Sequence, residues 1–196
     1  LIGEPESSHW TYWYARGTSY ERIKNWPKAE KDLLRANELS PDQPLVLNYL
    51  GYSWVDRNMN LQRGLEFIEK AVQLKPDDGY IVDSLGWAHF RLGDYAKAAV
   101  QLERAVELRP ADPILNDHLG DALWRIGRIR EARYQWELSL TLKPEPENEH
   151  KTRHKLTHGL PALGSIKSTA PAADKKPVLG KRVESKLNQA KPAPVR

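Results

Sequence analysis

The chain has 196 residues, of which 40% are hydrophobic and 29% charged, and its formal net charge at pH 7 is +4. It contains no cysteine, which excludes disulfide bonds, thiolate metal sites and a cysteine nucleophile. No stretch of the sequence approaches the roughly 18 uninterrupted apolar residues that a membrane-spanning helix requires.

Residues 1–9 are expected to be a linker from an upstream region, because the chain starts with Leu1 and its sole methionine is Met59. The first predicted helix then opens with four aromatic residues, Trp10, Tyr12, Trp13 and Tyr14. A preceding helix pair would normally cover such a face, so we expect a patch that favours self-association through this truncated end.

Residues 10–146 carry small residues at a fixed interval. The glycine series has steps of 34, 35 and 34 residues, and its members are Gly17, Gly51, Gly86 and Gly120. Three further series have steps of 35, 34 and 34: Ala29, Gly64, Ala98 and Ala132; Ala36, Ala71, Ala105 and Ser139; and Pro41, Pro76, Pro110 and Pro144. Small residues at these positions let two helix backbones approach closely, so each interval predicts two antiparallel helices. The predicted units are 10–43, 44–78, 79–112 and 113–146, with the one extra residue of the second unit in the turn 58–60.

The prolines are expected to end each second helix, because proline is disfavoured inside helices. Asp42, Asp77 and Asp112, just after the first three prolines, are expected to cap the helices that follow.

The pattern resembles the tetratricopeptide repeat (TPR), W-x2-L-G-x2-Y followed by A-x3-F, A and P. It is present here as Trp13-x2-Arg16-Gly17-x2-Tyr20, Leu50-Gly51-x2-Trp54, Leu85-Gly86-x2-His89 and Leu119-Gly120-x2-Leu123. Arg16 departs from the usual leucine, which suits the less apolar face of a terminal repeat. The resemblance implies an all-α fold, a right-handed α-solenoid of helix-turn-helix repeats.

In TPR proteins the inner faces of the first helices line a concave groove for a peptide, and the resemblance implies the same here. Helical spacing places eleven candidate binding residues on or beside that face: Tyr14, Asn48, Tyr52, Asp83, Trp87, Phe90, Arg91, Asp117, Asp121, Trp124 and Arg125. Aromatic and arginine side chains are favoured at recognition hot spots. The alternative for the aromatic residues is packing between neighbouring repeats.

Carboxylates are disfavoured between packed helices, so Asp83, Asp117 and Asp121 are expected to face solvent in the groove. Together with Glu21 and Asp56 they outnumber three arginines. The groove is therefore predicted to prefer an apolar peptide with a basic residue, and to reject the acidic tails that co-chaperone TPR domains bind.

Residues 147–158 predict a capping helix. His150, His154 and His158 would share one face of it and could bind a metal, but the segment offers no buried second shell, so we predict a solvated face and no cofactor. The group Asp117, His118 and Asp121 lacks a nucleophile, and no phosphate-binding loop or hydrolase motif occurs, so no enzyme activity is predicted.

Residues 159–196 are rich in Pro, Ala and Lys without aromatic residues and predict a disordered tail. From residue 147 onward, eleven Lys and Arg stand against four Asp and Glu, so this part carries +7 and the remainder −3.

We therefore expect a non-enzymatic scaffold or adaptor that binds a protein or peptide segment. The stretches LNYLGYSWVDR, DSLGWAHFRLGDYAKA and HLGDALWRIGRIREA resemble the repeats of bacterial cell-envelope TPR adaptors. That resemblance implies a periplasmic or cell-envelope location and a partner such as a protease or an envelope complex. The alternative is a tether that binds nucleic acid or a membrane surface through the basic tail, without sequence specificity.

Overall fold

The computed structural model describes residues 9–162, which form α-helices and no strand. The nine helices of this part are α1 Trp10–Arg22, α2 Trp26–Leu39, α3 Pro44–Asp56, α4 Leu61–Leu74, α5 Gly79–Leu92, α6 Tyr95–Leu108, α7 Pro113–Arg125, α8 Ile129–Thr141 and α9 Pro146–His158. The all-α prediction is confirmed. The predicted tail from residue 163 onward lies outside the described residues.

Consecutive helices pack in antiparallel pairs, α1 with α2, α3 with α4, α5 with α6 and α7 with α8. The glycine series marks where the two backbones of a pair come closest. A Cβ atom at Gly51 would lie 2.8 Å from the backbone oxygen of Gly64, and one at Gly120 would lie 2.4 Å from Trp136. The repeat period in the sequence is therefore the period of this close approach.

The turn inside each helix pair also keeps the period. Each contains a residue with positive φ, at Lys24, Asn58, Gly93 and Gly127. The second repeat has an additional positive-φ residue, Asn60, in a turn of four residues where the first repeat has three. This confirms the predicted position of the extra residue.

The predicted helix caps are right in one case of three. Asp112 accepts hydrogen bonds from the backbone N–H groups of Ile114 and Leu115. Helix α5 is capped by Asp78 instead of Asp77, and α3 starts after Gln43 without a side-chain cap. The reason is the helix start: Pro44 and Pro113 occupy the first turns of α3 and α7, which makes residues 43 and 112 the caps.

The pairs stack into an α-solenoid whose concave side is formed by the first helices. Helix α3 packs on α5 and α5 on α7, whereas no comparable packing joins the second helices of neighbouring repeats within residues 9–162. None of the described helices has the length and apolar character to cross a bilayer. Helix α9, Pro146–His158, follows the fourth repeat and packs on α8.

Candidate functional site on the inner face

The inner face is here the concave side formed by α1, α3, α5 and α7. The prediction that its carboxylates face solvent is wrong for Asp83 and Asp121, which are 5% and 4% exposed, and Asp117 is also largely covered. Each of the three binds a cation from a helix further along the chain. A carboxylate can be buried between packed helices when such a partner is present.

Asp83 on α5 pairs with His118 on α7. The Nδ1 atom of His118 lies 3.0 Å from Oδ1 and 3.1 Å from Oδ2 of Asp83. Burial lowers the pKa of His118, but the neighbouring carboxylates of Asp83, Asp117 and Asp121 outweigh it and the pKa is raised overall. The imidazole is thereby favoured as a charged donor, and the pair links the third repeat to the fourth.

Asp117 and Asp121 share one lysine, Lys155 of α9. Its Nζ atom lies 2.6 Å from Asp117 Oδ2 and 2.7 Å from Asp121 Oδ1. Thr152 donates a further hydrogen bond to Asp117, and the indole N–H of Trp136 donates one to Asp121 at 2.9 Å. Burial raises the pKa of Asp121 to about 6, against the lowering effect of Lys155.

The first repeats are joined in the same way. Arg57 Nη2 lies 2.7 Å from Glu21 Oε1. Arg91 Nη1 donates a hydrogen bond to the backbone oxygen of Asp56 at 3.0 Å and lies 3.6 Å from the Oδ1 atom of the Asp56 carboxylate. Each of the five carboxylates predicted from the sequence to lie in the groove is thus paired with a cation that lies 34 to 38 residues further on. We call this series of pairs the inter-repeat ladder. Because of it, the acidic excess predicted from these five carboxylates does not exist as free charge.

Several predicted aromatic residues are partly buried and pack against neighbouring side chains. Trp87 stacks on Phe90 and on His118, with ring centroids 4.9 and 4.3 Å apart. Phe90 also packs against a buried cluster that includes Leu102 and Leu119. For these residues the contacts favour the packing alternative over an open recognition surface. The Tyr14 ring likewise packs edge to face on the ring of Tyr49 on α3.

The fourth repeat is covered by the segment that follows it. Gly159 lies directly against the Trp124 ring, where a Cβ atom would come within 2.1 Å. Arg125 donates to the backbone oxygen of Pro161 at 2.7 Å. Residues 159–162, which the sequence assigned to the tail, therefore contact the repeat, and Trp124 and Arg125 do not face an open groove.

A pocket opens on the inner face between α3, α5 and α7. Its volume is about 180 Å³, and its lining residues are Asn48, Tyr49, Tyr52, Tyr80, Asp83, Ser84, Asp112, Ile114, Leu115 and His118. We call it the tyrosine pocket. Asn48 Oδ1 is buried and accepts no hydrogen bond within the described part of the chain.

The phenols of Tyr49 and Tyr52 stay protonated at neutral pH. Burial raises the pKa of Tyr49 to about 12, with the charge of Glu21 adding to the effect. Burial also raises the pKa of Tyr52, which lies near Asp56 and Asp83. The pocket consequently combines aromatic walls with carboxylate, amide and hydroxyl groups, which can hold a side chain by packing and hydrogen bonds.

No group of three or more possible metal ligands comes together in residues 9–162. His150, His154 and His158 are exposed on α9, where the rings of His154 and His158 stack 4.4 Å apart.

Two features of the site were missed from the sequence. Tyr49 and Tyr80 lie outside the set chosen by helical spacing, yet both line the tyrosine pocket. Exposed apolar residues start the inner-face helices at steps of 35 and 34 residues, namely Leu45, Tyr80 and Ile114. That repeat spacing is visible in the sequence and could have identified them. We call these three the exposed row.

Comparison with known proteins agrees with the fold. Residues 84–145 match the family model described as tetratricopeptide repeat. The chain is 39% identical over 85 residues to TPR repeat-containing protein PA4667 of Pseudomonas aeruginosa, a match that spans 43% of this chain and 14% of that protein.

Solved structures of MamA have the same architecture. One structure superposes with a TM-score of 0.59 at 20% identity and covers 73% of this chain and 83% of its own. Another, MamA of MSR-1, superposes with a TM-score of 0.58 at 22% identity over 78% of this chain and 91% of its own. At these identities the similarity establishes the fold alone.

Proposed function

We propose that the chain is a non-enzymatic scaffold that binds a partner segment across the inner face of α3, α5 and α7. It belongs to the tetratricopeptide repeat family, whose fold is used for protein–protein interaction. The observation that carries this proposal is the tyrosine pocket. It is an open cavity between three first helices, and its walls combine three tyrosines with the carboxylates of Asp83 and Asp112.

The ends of the inner face support the same location. At the fourth repeat, Gly159 and Pro161 already occupy the surface of Trp124 and Arg125. Beside the pocket, Tyr80 and Ile114 are 49% and 44% exposed. Exposed apolar side chains next to a cavity are typical of an interaction site.

The test uses peptides selected from a random heptapeptide display library against the full chain. Binding should be lost in the double variant Tyr80→Ser with Ile114→Ser. The matched control is Val100→Ser with Tyr134→Ser, which changes an exposed aliphatic residue and an exposed tyrosine on α6 and α8. Equal binding by the two double variants would contradict the proposal.

The cell-envelope location and a protease or envelope complex as partner stay proposals, based on the sequence resemblance. The alternative tether through the basic tail concerns residues outside the described part. Deletion of residues 163–196 separates the two functions, since the inner-face scaffold keeps its peptide binding without them.

A further inference from the structure

We propose, as a refinement that rests on the proposed function, that the tyrosine pocket receives one arginine side chain of an extended partner segment. Three tyrosines, Tyr49, Tyr52 and Tyr80, line the cavity together with the carboxylates of Asp83 and Asp112. Aromatic rings and carboxylates in one cavity attract a cation and repel an anion.

The charges of the pocket favour a positive ligand. His118 balances the charge of Asp83 through the pair described above. Asp112 uses Oδ1 to cap α7, and this leaves its other carboxylate oxygen free of those cap bonds. This oxygen and the tyrosine hydroxyls can accept hydrogen bonds, and a guanidinium carries five N–H donors and no acceptor.

The protein itself shows how this surface binds cations. The guanidinium of Arg109 lies 4.3 Å from the centroid of the Tyr80 ring. Along the inter-repeat ladder, inner-face carboxylates take a lysine, a histidine and an arginine. A planar guanidinium suits a cavity with aromatic walls better than a compact ammonium, since it stacks on rings and forms several hydrogen bonds at once.

The exposed row indicates which side chain the partner segment carries next to the arginine. Leu45, Tyr80 and Ile114 occupy equivalent positions in three successive repeats. Packed helices lie about 8–10 Å apart and an extended chain rises about 3.3 Å per residue, so one repeat corresponds to about three ligand residues. The segment should therefore carry an apolar side chain about three residues from the arginine.

The test uses the peptides selected against the full chain. Arginine should recur at one fixed position, and replacing it with citrulline, which keeps the shape without the charge, should weaken binding about tenfold. Asp112→Asn should weaken binding about threefold, because it removes the charge and asparagine still caps α7. The control Glu107→Gln, an exposed carboxylate on α6, should leave binding unchanged.

Two contrary results are distinguishable. Peptides that need Tyr80 and Ile114 but bind equally well with citrulline would overturn the arginine assignment and leave the proposed function standing. Peptides that bind without any dependence on Tyr80 and Ile114 would overturn both. Unchanged melting of Asp112→Asn confirms that a loss of affinity is not a loss of fold.

Discussion

Lys155 on α9 lies 2.7 Å from Asp121 on α7 and binds it in the buried interior of the last repeat. Elsewhere in the solenoid, the next repeat supplies such a cation, as His118 does for Asp83. Helix α9 performs this task for the fourth repeat, although its outward residues are polar and exposed. The helix is thus a structural end of the inter-repeat ladder.

The variant Lys155→Met should strongly destabilise the protein. It leaves Asp117 and Asp121 without their cation, and removal of one partner from a buried ion pair costs about 3 kcal/mol. The free energy of unfolding, from urea denaturation at pH 7, measures the loss. The control Lys151→Met, whose ion pair with Glu147 is exposed on the same helix, should change it by less than about 0.5 kcal/mol.

The deficit of Lys155→Met should depend on pH. Burial raises the pKa of Asp121 to about 6, so this carboxyl becomes neutral at pH 5 and no longer needs a cation. The difference in unfolding free energy between wild type and variant should therefore be smaller at pH 5 than at pH 7.5. A constant difference across this range would show that Lys155 acts through packing instead of charge.

His118 should make stability fall as the pH rises above 6.5. Its pKa is raised in the folded protein because Asp83 on α5 and Asp117 and Asp121 on α7 outweigh burial. The folded state therefore keeps a proton that the unfolded state loses near pH 6.5, and this stabilisation disappears as pH passes the folded value.

Urea denaturation at pH 6.5, 7.5 and 8.5 measures this slope, and His118→Asn should flatten it. His89 acts in a different window, because burial lowers its pKa and its effect falls below pH 6.5. The control His150→Asn changes an exposed histidine on α9 and should keep the wild-type slope. An unaltered slope in His118→Asn would contradict the assignment.

The repeat fold could be predicted from the sequence because its cause is local. Positions such as Gly51 and Gly120 are small wherever two backbones touch, and that requirement repeats with each helix pair. The inner-face residues were harder to place. A rule that considers each carboxylate alone predicts that Asp83 is exposed to solvent. Its burial depends on the partner His118, which is 35 residues away in the sequence and which such a rule does not take into account.

The contact of α9 with the site could not be predicted from the sequence either. Its composition is polar, yet Thr152 is buried and Lys155 reaches two carboxylates of α7. A lysine in a polar helix predicts exposure until the acceptors opposite it are known. By contrast, the candidates Asn48, Tyr52 and Asp83 do lie in one region, since all three line the tyrosine pocket, and their role in binding stays a prediction.

The consensus substitution Gly64→Ala should destabilise the protein, although the other repeats have Ala29, Ala98 and Ala132 at this position. A Cβ atom at residue 64 would lie 2.9 Å from Val55 Cγ2 and 3.0 Å from the backbone oxygen of Gly51. The gain of about 1 kcal/mol in helix propensity is outweighed by overpacking of about 1–3 kcal/mol.

Thermal melting of Gly64→Ala should show a lower midpoint than wild type. The control Gln62→Ala lies on the exposed side of the same helix and should not lower it. A rise of the midpoint in Gly64→Ala would mean that α3 and α4 can move apart without cost.

Arg16 and Asp32 should behave as a coupled pair. The Nε and Nη2 atoms of Arg16 lie 2.6 and 2.8 Å from the two carboxylate oxygens of Asp32, which is 2% exposed. Arg16→Met should lower the unfolding free energy by about 2 kcal/mol, because it strands the buried carboxylate while part of the arginine is already solvated. Adding Asp32→Leu should restore most of the loss.

A double-mutant cycle on these two positions, measured by urea denaturation, gives the coupling energy. Additive effects of the two single changes would contradict the pairing and make Arg16 a surface residue of a terminal repeat.

The central claim, that a partner segment lies across the inner face of α3, α5 and α7, is tested most directly by hydrogen–deuterium exchange of the full chain with and without a selected peptide. We expect added protection in the first halves of these three helices, within residues 45–52, 80–87 and 114–118, and none in α9. Protection confined to α8, α9 or residues 163–196 would contradict it.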